Sequence, residues 1–188
     1  EDMHNPKLPW FVVQLGRHIA EDEGEWNEIQ EQQRNLPTVI PYLDIVPAID
    51  LDLDDAIHIG GVGQIILGNR LARVADKLVH KNKKSKASIV IDKIEIDKCP
   101  DANTTNPFTA IRVTYKNVMG NLQSKDMPTG FTTLDGNNNV VPAIYKTTVE
   151  TNSVLLHSNH GREILETLNL SYGHGRYPYC NIVDSENM

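Results

Sequence analysis

The residues with the clearest chemical content are Asp55 and His58, three apart in Asp55-Ala56-Ile57-His58. If a loop folds the carboxylate back onto the imidazole, it accepts a hydrogen bond from one ring nitrogen and fixes the tautomer. The other nitrogen is then free to take a proton from a nucleophile. Spacing alone is a weak signal. Among seven histidines and fourteen aspartates, one such pair arises by chance roughly half the time, so on that ground alone His58 reads as a loop histidine beside an acidic run. The serines are Ser85, Ser88, Ser124, Ser153, Ser158, Ser171 and Ser185, and none lies in a glycine-flanked nucleophile turn.

Other groupings carry less chemistry. Gly60-Gly61-Val62-Gly63 precedes a helical pattern, but no Gly-Lys-Ser or Gly-Lys-Thr follows, and the glycines read better as a tight entry to the helix. His157, His160 and Glu163 are evenly spaced yet match no standard zinc set. Cys99 and Cys180 lack a Cys-x-x-Cys spacing; they either pair in an exported protein or stay as buried thiols, and spacing leaves both open. Asn103-Thr104-Thr105 and Asn169-Leu170-Ser171 fit glycosylation spacing, which has meaning only in a secreted eukaryotic protein.

The elements around Asp55 and His58 place them where sites form. Trp10 to Leu15 is a nearly unbroken aromatic and β-branched run after Pro9, the pattern of a strand covered on both faces. Glu25 to Asn35 reads as a surface helix ending before Pro37, with Trp26, Ile29 and Gln33 on one side. Ile45 to Ile49 is a second strand, and Asp50 to Asp55 follows at its carboxyl end, where open α/β sheets carry their sites. Val62 to Leu78 keeps helical period without a proline, and then runs into Lys77, Lys81, Lys83, Lys84 and Lys86, read as a solvated linker rather than a phosphate patch.

Beyond Ser88 the texture changes to short β-branched segments between turns: Ile89 to Ile96, Ala110 to Tyr115, Val140 to Ile144, Ser153 to His157 and Leu168 to Tyr172, with a turn at Gly136 to Asn139. The expected organisation is therefore an α/β part over residues 1–84 and a β-sandwich over 88–188. Two strands and two helices are too few to bury both faces of a parallel sheet, so the first part reads as half a domain.

Totals exclude some classes. A formal charge of -7 over 188 residues gives no positive field for nucleic acid, and no run of 18 apolar residues could cross a membrane. The first residues lack the positive start and apolar middle of a signal peptide, which does not make the protein cytoplasmic.

The ordered motifs resemble those of one family. Asp55 to Gln64, leading into Gly68-Asn69-Arg70-Leu71-Ala72, is similar to the last block of the SGNH hydrolases, where Asp-x-x-His precedes the closing helix. It is most similar to the sialate O-acetylesterase-like carbohydrate esterases, with their Asp-x-Ile-His segment and Arg-Leu-Ala helix. Leu8 to Leu15 resembles that group's Leu-Pro-Phe-x-x-Val-Gln-Leu strand, and Trp26 to Gln33 its Trp-x-x-Leu-Arg-x-x-Gln helix. Tyr172-Gly173 and Pro178 to Asn181 resemble a late strand and aromatic turn of the same proteins.

The resemblance implies a metal-free, cofactor-free Ser-His-Asp esterase acting on acetylated carbohydrate, with His58 as general base and Asp55 as its orienter. It also implies a flavodoxin-like three-layer α/β/α SGNH domain, here partial, followed by the β-sandwich. The family's Gly-Gln-Ser-Asn nucleophile block and its Gln-Gly-Glu-x-Asn segment do not occur. The expectation is thus the carboxyl-terminal half of such an esterase, inactive alone, its partner the amino-terminal half, with neither nucleic acid nor membrane as partner. A secreted, periplasmic or lysosomal location is favoured over the cytoplasm. The alternative is a non-catalytic module whose sandwich binds a glycan or a partner through Tyr172, Tyr177 and Tyr179.

Overall fold

The structure, a computed structural model, describes residues 5, 7–19, 24–100, 108–175 and 177–188. The chain is mixed α/β with mostly strands, arranged in several sheets. It divides into two compact units, one of Glu1–Ser88 with Gly175–Tyr177 and Asn187–Met188, the other of Ile89–His174 with Pro178–Glu186.

In the first unit, β1 (Trp10–Val13) pairs in parallel with β2 (Leu43–Val46), Val13 opposite Val46. Between them runs α1 (Gly24–Val39), which continues through Pro37, the Ile40 N–H still donating to Leu36 O at 2.8 Å. Helix breaking by proline is mild in a last turn, where only one carbonyl loses its donor. The contact face of α1 also differs from the periodic reading: Ile29 is exposed, and Gln30 is buried in its place. The cause is the segment leaving β1, where the backbone groups of Leu15 and Gly16 are held by side chains of α1. Gln30 Nε2 donates to Leu15 O and Gly16 O, Trp26 Nε1 donates to Gly16 O, and Gln33 Oε1 accepts from the Leu15 N–H.

Helix α2 (Gly61–Leu78) starts after Gly60 and buries Gly63, Arg70 and Val74, while Val62 and Ile65, apolar residues on another face, are exposed. The lysine-rich segment after it folds back on Asp76, which accepts from Asn82 Nδ2 and Ser85 Oγ. Among the described residues no helix is long and apolar enough to cross a membrane.

The second unit is built on a four-stranded antiparallel sheet, in the order β3 (Val90–Lys98), β4 (Thr109–Lys116), β9 (Ser153–Ser158) and β8 (Ile144–Val149). The central β9 is buried along its whole length. Ile111, Val113, Val154 and Leu156 face one core with Val118, Leu122, Ala143 and Leu165, and Leu155 faces a smaller one with Cys99 and Ala110. Two smaller sheets accompany it, β10 (Asn169–Tyr172) with β6 (Phe131–Leu134) and β7 (Val140–Val141), and β11 (Ile182–Asp184) with β5 (Leu122–Ser124). One short helix, α3 (Arg162–Leu165), precedes β10.

The turn at Gly136 to Asn139 joins β6 to β7; Asp135 Oδ1 accepts the N–H groups of Asn137 and Asn139, and Asn138 takes a positive φ of 62°. The strand expected over Val140 to Ile144 is two strands, because Pro142 offers no N–H to continue the ladder. Cys99 and Cys180 are both buried and are not joined in a disulfide. The Asn103-Thr104-Thr105 triplet lies outside the described residues.

Candidate active site

Leaving β2, the chain meets Leu51, which is buried, and then doubles back in a short hairpin. Leu53 bridges Ile59, the Asp54 N–H donates to His58 O at 2.8 Å, and the Gly60 N–H donates to Asp52 O at 2.9 Å. Small residues sit where this hairpin meets α2: a Cβ at Gly60 would stand 2.5 Å from Asp54 Oδ1, the movable end of that side chain, and one at Gly63 would stand 2.6 Å from Ile59 Cγ2 and 3.3 Å from Leu51 Cβ, so the need for glycine is strict at Gly63. These two glycines therefore serve close packing of a loop on a helix start, and the phosphate-cradle reading has no structural support from them.

The tip of the hairpin carries Asp55 and His58. Asp55 Oδ1 accepts the backbone N–H groups of Ile57 (2.8 Å) and His58 (2.7 Å), a local turn that short acidic side chains favour. The second oxygen, Oδ2, lies 2.7 Å from His58 Nδ1. Both side chains are exposed, His58 at 77%. The backbone N–H of His58, then that of Ile57, then the His58 side chain hold the Asp55 carboxyl below its usual value, at about 2. An ionised carboxylate only accepts, so Nδ1 must carry the proton of this contact and a neutral ring keeps its lone pair on Nε2. Nε2 has no partner among the described residues. An imidazole held in this way can accept a proton from a hydroxyl brought to Nε2.

His58 lines a cavity of about 580 Å³ whose walls include Leu15, Arg17, Trp26, Leu67 and Leu71. No serine lines it. Arg17 Nη2 donates to Leu51 O at 2.9 Å and approaches Asp52 Oδ1 at 3.5 Å. Arg70 is fully buried: Nη1 and Nη2 hold both carboxylate oxygens of Asp50 at 2.7 and 2.5 Å, Nη1 also donates to Pro47 O at 2.8 Å, and Nε donates to Asn187 O. Neither arginine was singled out as a site residue by the sequence. The available signal was Arg70 itself, a charge on the stripe that includes Leu67 and Val74, which in a buried position needs a fixed partner.

The other residues weighed above are not gathered into a site. His157 is buried between Cys99 Sγ (3.0 Å from Nδ1) and Thr148 Oγ1 (2.9 Å from Nε2), while His160 pairs with Asn159. Among the described residues no three metal-binding side chains meet. Tyr172 packs its ring on Phe131 at 4.7 Å and its hydroxyl accepts from the Ile182 N–H, whereas Tyr177 and Tyr179 are exposed.

The parallel strand pair, the Asp–His hairpin and the helix after it lie in the part of the chain that resembles a known family. Residues 1–77 match the family of carbohydrate esterases described as sialic acid-specific acetylesterase. The fold is similar to the crystal structure of a carbohydrate acetylesterase from Xanthomonas citri, with a TM-score of 0.70 and 19% identity, over 96% of this chain and 39% of that one. The chain thus spans about two fifths of the length of that structure. No curated protein matches. The resemblance to sialate O-acetylesterase-like carbohydrate esterases is carried by the family match and by this fold.

Proposed function

We propose that this chain is the carboxyl-terminal part of a carbohydrate O-acetylesterase, supplying the acid–base half of a serine esterase site. The observation that carries this is the Asp55–His58 hydrogen bond at 2.7 Å, with Nε2 left free on a residue lining a cavity. The parallel pair β1–β2 with its helices is then part of a three-layer SGNH domain, and the second unit is the β-sandwich that follows it. The missing nucleophile agrees with the chain's covering only 39% of the similar structure.

In the mechanism, the serine hydroxyl of the amino-terminal part attacks the acetyl carbonyl while His58 Nε2 takes its proton, and Asp55 stabilises the imidazolium. The tetrahedral intermediate collapses, the sugar oxygen leaves with the proton from Nε2, and the acetyl group remains on the serine. Water, deprotonated by the same nitrogen, then releases acetate and restores the serine. The chain's own chemistry is one proton, taken and returned twice.

The serine-bearing part has a place to bind. Beyond β2, β1 has no strand partner among the described residues, and Val62 and Ile65 of α2 are 75% and 69% exposed. An unpaired strand edge and an uncovered apolar stripe are what completion of one sheet and its helical layer would cover. A location outside the cytoplasm, where acetylated glycans are met, is part of the same proposal. The test is acetate release from O-acetylated sialic acid and acetylated xylan by this chain, by the serine-bearing part, and by the two together. Release only by the pair is expected; no release by a stably assembled pair would reject the proposal.

A further inference from the structure

The imidazole of His58 is 77% exposed and its one side-chain partner, Asp55, sits on the same turn. Packing of its own therefore does not fix where Nε2 points; the backbone of the hairpin must. That hairpin lies in the segment between Asp50 and Arg70, twenty residues later on α2, and these two residues form a buried ion pair. We infer that the buried Arg70–Asp50 pair is a positioning device for the general base, rather than an ordinary stabilising ion pair; this rests on the function proposed above.

Three features support it. First, the contact is bidentate and nearly dry, Arg70 at 1% and Asp50 at 15% side-chain exposure, so it fixes both distance and angle between loop and helix. Second, the same guanidinium also binds Pro47 O, where the chain leaves β2, and Asn187 O, near the end of the chain. One side chain therefore registers the strand end, the hairpin base and α2 against each other, with Asn187 as a fourth point. Third, replacing a buried ion pair by apolar packing is often neutral for stability, and in some proteins what such a pair provides instead is one specified geometry. Here the geometry specified is that of the segment carrying Asp55 and His58. Leu51, next to Asp50, transmits it: its Cβ lies beside the position a Cβ at Gly63 would occupy, so any shift of Asp50 moves the hairpin against the start of α2.

The test uses Arg70→Lys, which keeps the charge and loses the fork, and Asp50→Asn, which keeps an acceptor and loses the charge. In the chain alone, amide order parameters and hydrogen exchange are read over residues 52–60, together with the Asp55 carboxyl titration. In the complex with the serine-bearing part, kcat and KM are read separately. A positioning role predicts looser amides at Asp54 and Gly60 than in β1 or α1, and an Asp55 titration displaced back towards that of an ordinary aspartate. It predicts a fall in kcat of about 10–100-fold with KM changed by less than about threefold, since displacement of about 1 Å suffices for such a loss.

A purely structural role would lower the melting temperature and leave the hairpin, the Asp55 titration and kcat of the folded variant unchanged, which would overturn the inference. If Arg70→Lys does not fold, Asp50→Asn decides by the same readouts. If the assembled pair hydrolyses no ester, the function falls, while hairpin order and the Asp55 titration in the chain alone still decide the positioning role.

Discussion

Substituting Asp55 by Asn separates the two tasks of the carboxylate. Oδ1 accepts the N–H groups of Ile57 and His58, and an amide oxygen in the same place accepts both, so the turn should survive. Oδ2, 2.7 Å from His58 Nδ1, becomes an NH₂ group, and two donors cannot share that contact. The ring must present a lone pair at Nδ1 and carry its proton on Nε2, where a base is needed. The lesion is a wrong tautomer on an intact backbone, and the corresponding change in a serine protease triad removes about 10⁴ in kcat. For Asp55→Asn in the assembled esterase the expected loss is therefore about 10³–10⁴-fold in kcat, with KM little changed. Nitrogen-15 NMR of His58 in this chain alone should show the proton moving from Nδ1 to Nε2. An unchanged tautomer, or a loss of kcat below about tenfold despite the change, would refute the reasoning.

Three further outcomes follow from the geometry. Because Asp55 is held at about 2, below the ordinary 3.8, its contribution to the hairpin is complete above about pH 4. It is lost as the pH falls through 2, so the protected Asp54 and Gly60 amides should loosen only across that window in an exchange-monitored titration. Gly63→Ala would place a Cβ 2.6 Å from Ile59 Cγ2 and 3.3 Å from Leu51 Cβ; overpacking of about 1–3 kcal/mol outweighs the gain in helix propensity, read as a lower thermal midpoint. Leu156→Ala, at a position with no exposure in the core of the second unit, should cost about 2–5 kcal/mol in urea unfolding of that unit.

The pattern of the sequence revealed the elements whose local signals agree with their surroundings. Trp10 to Val13 and Gly61 to Leu78 were legible because continuous β-branched residues and an uninterrupted helical period each point to one structure. Apolar residues stand on more than one side of this helix, and the period could not say which side is covered: Val74 is buried, whereas Val62 and Ile65, on another face, are exposed. Leu122–Ser124, Phe131–Leu134 and Ile182–Asp184 leave no signal in the sequence because three or four residues of mixed polarity carry no period.

Of the candidate site, the Asp55–His58 contact is legible in the sequence because it is local, three residues apart. The Arg70–Asp50 pair could not, since a bond across twenty residues depends on the angle between a loop and a helix. Gln30 taking the place expected for Ile29 has the same origin: the backbone leaving β1 needs donors and acceptors, and an apolar side chain supplies neither.

The most direct measurement of the central claim is kcat for acetate release by the assembled esterase with His58 replaced by alanine. If His58 is the base that serves a serine from the rest of the protein, the loss should be about 10⁵–10⁶-fold, as for removal of the base from such a triad. Turnover within about tenfold of the unsubstituted protein would contradict it.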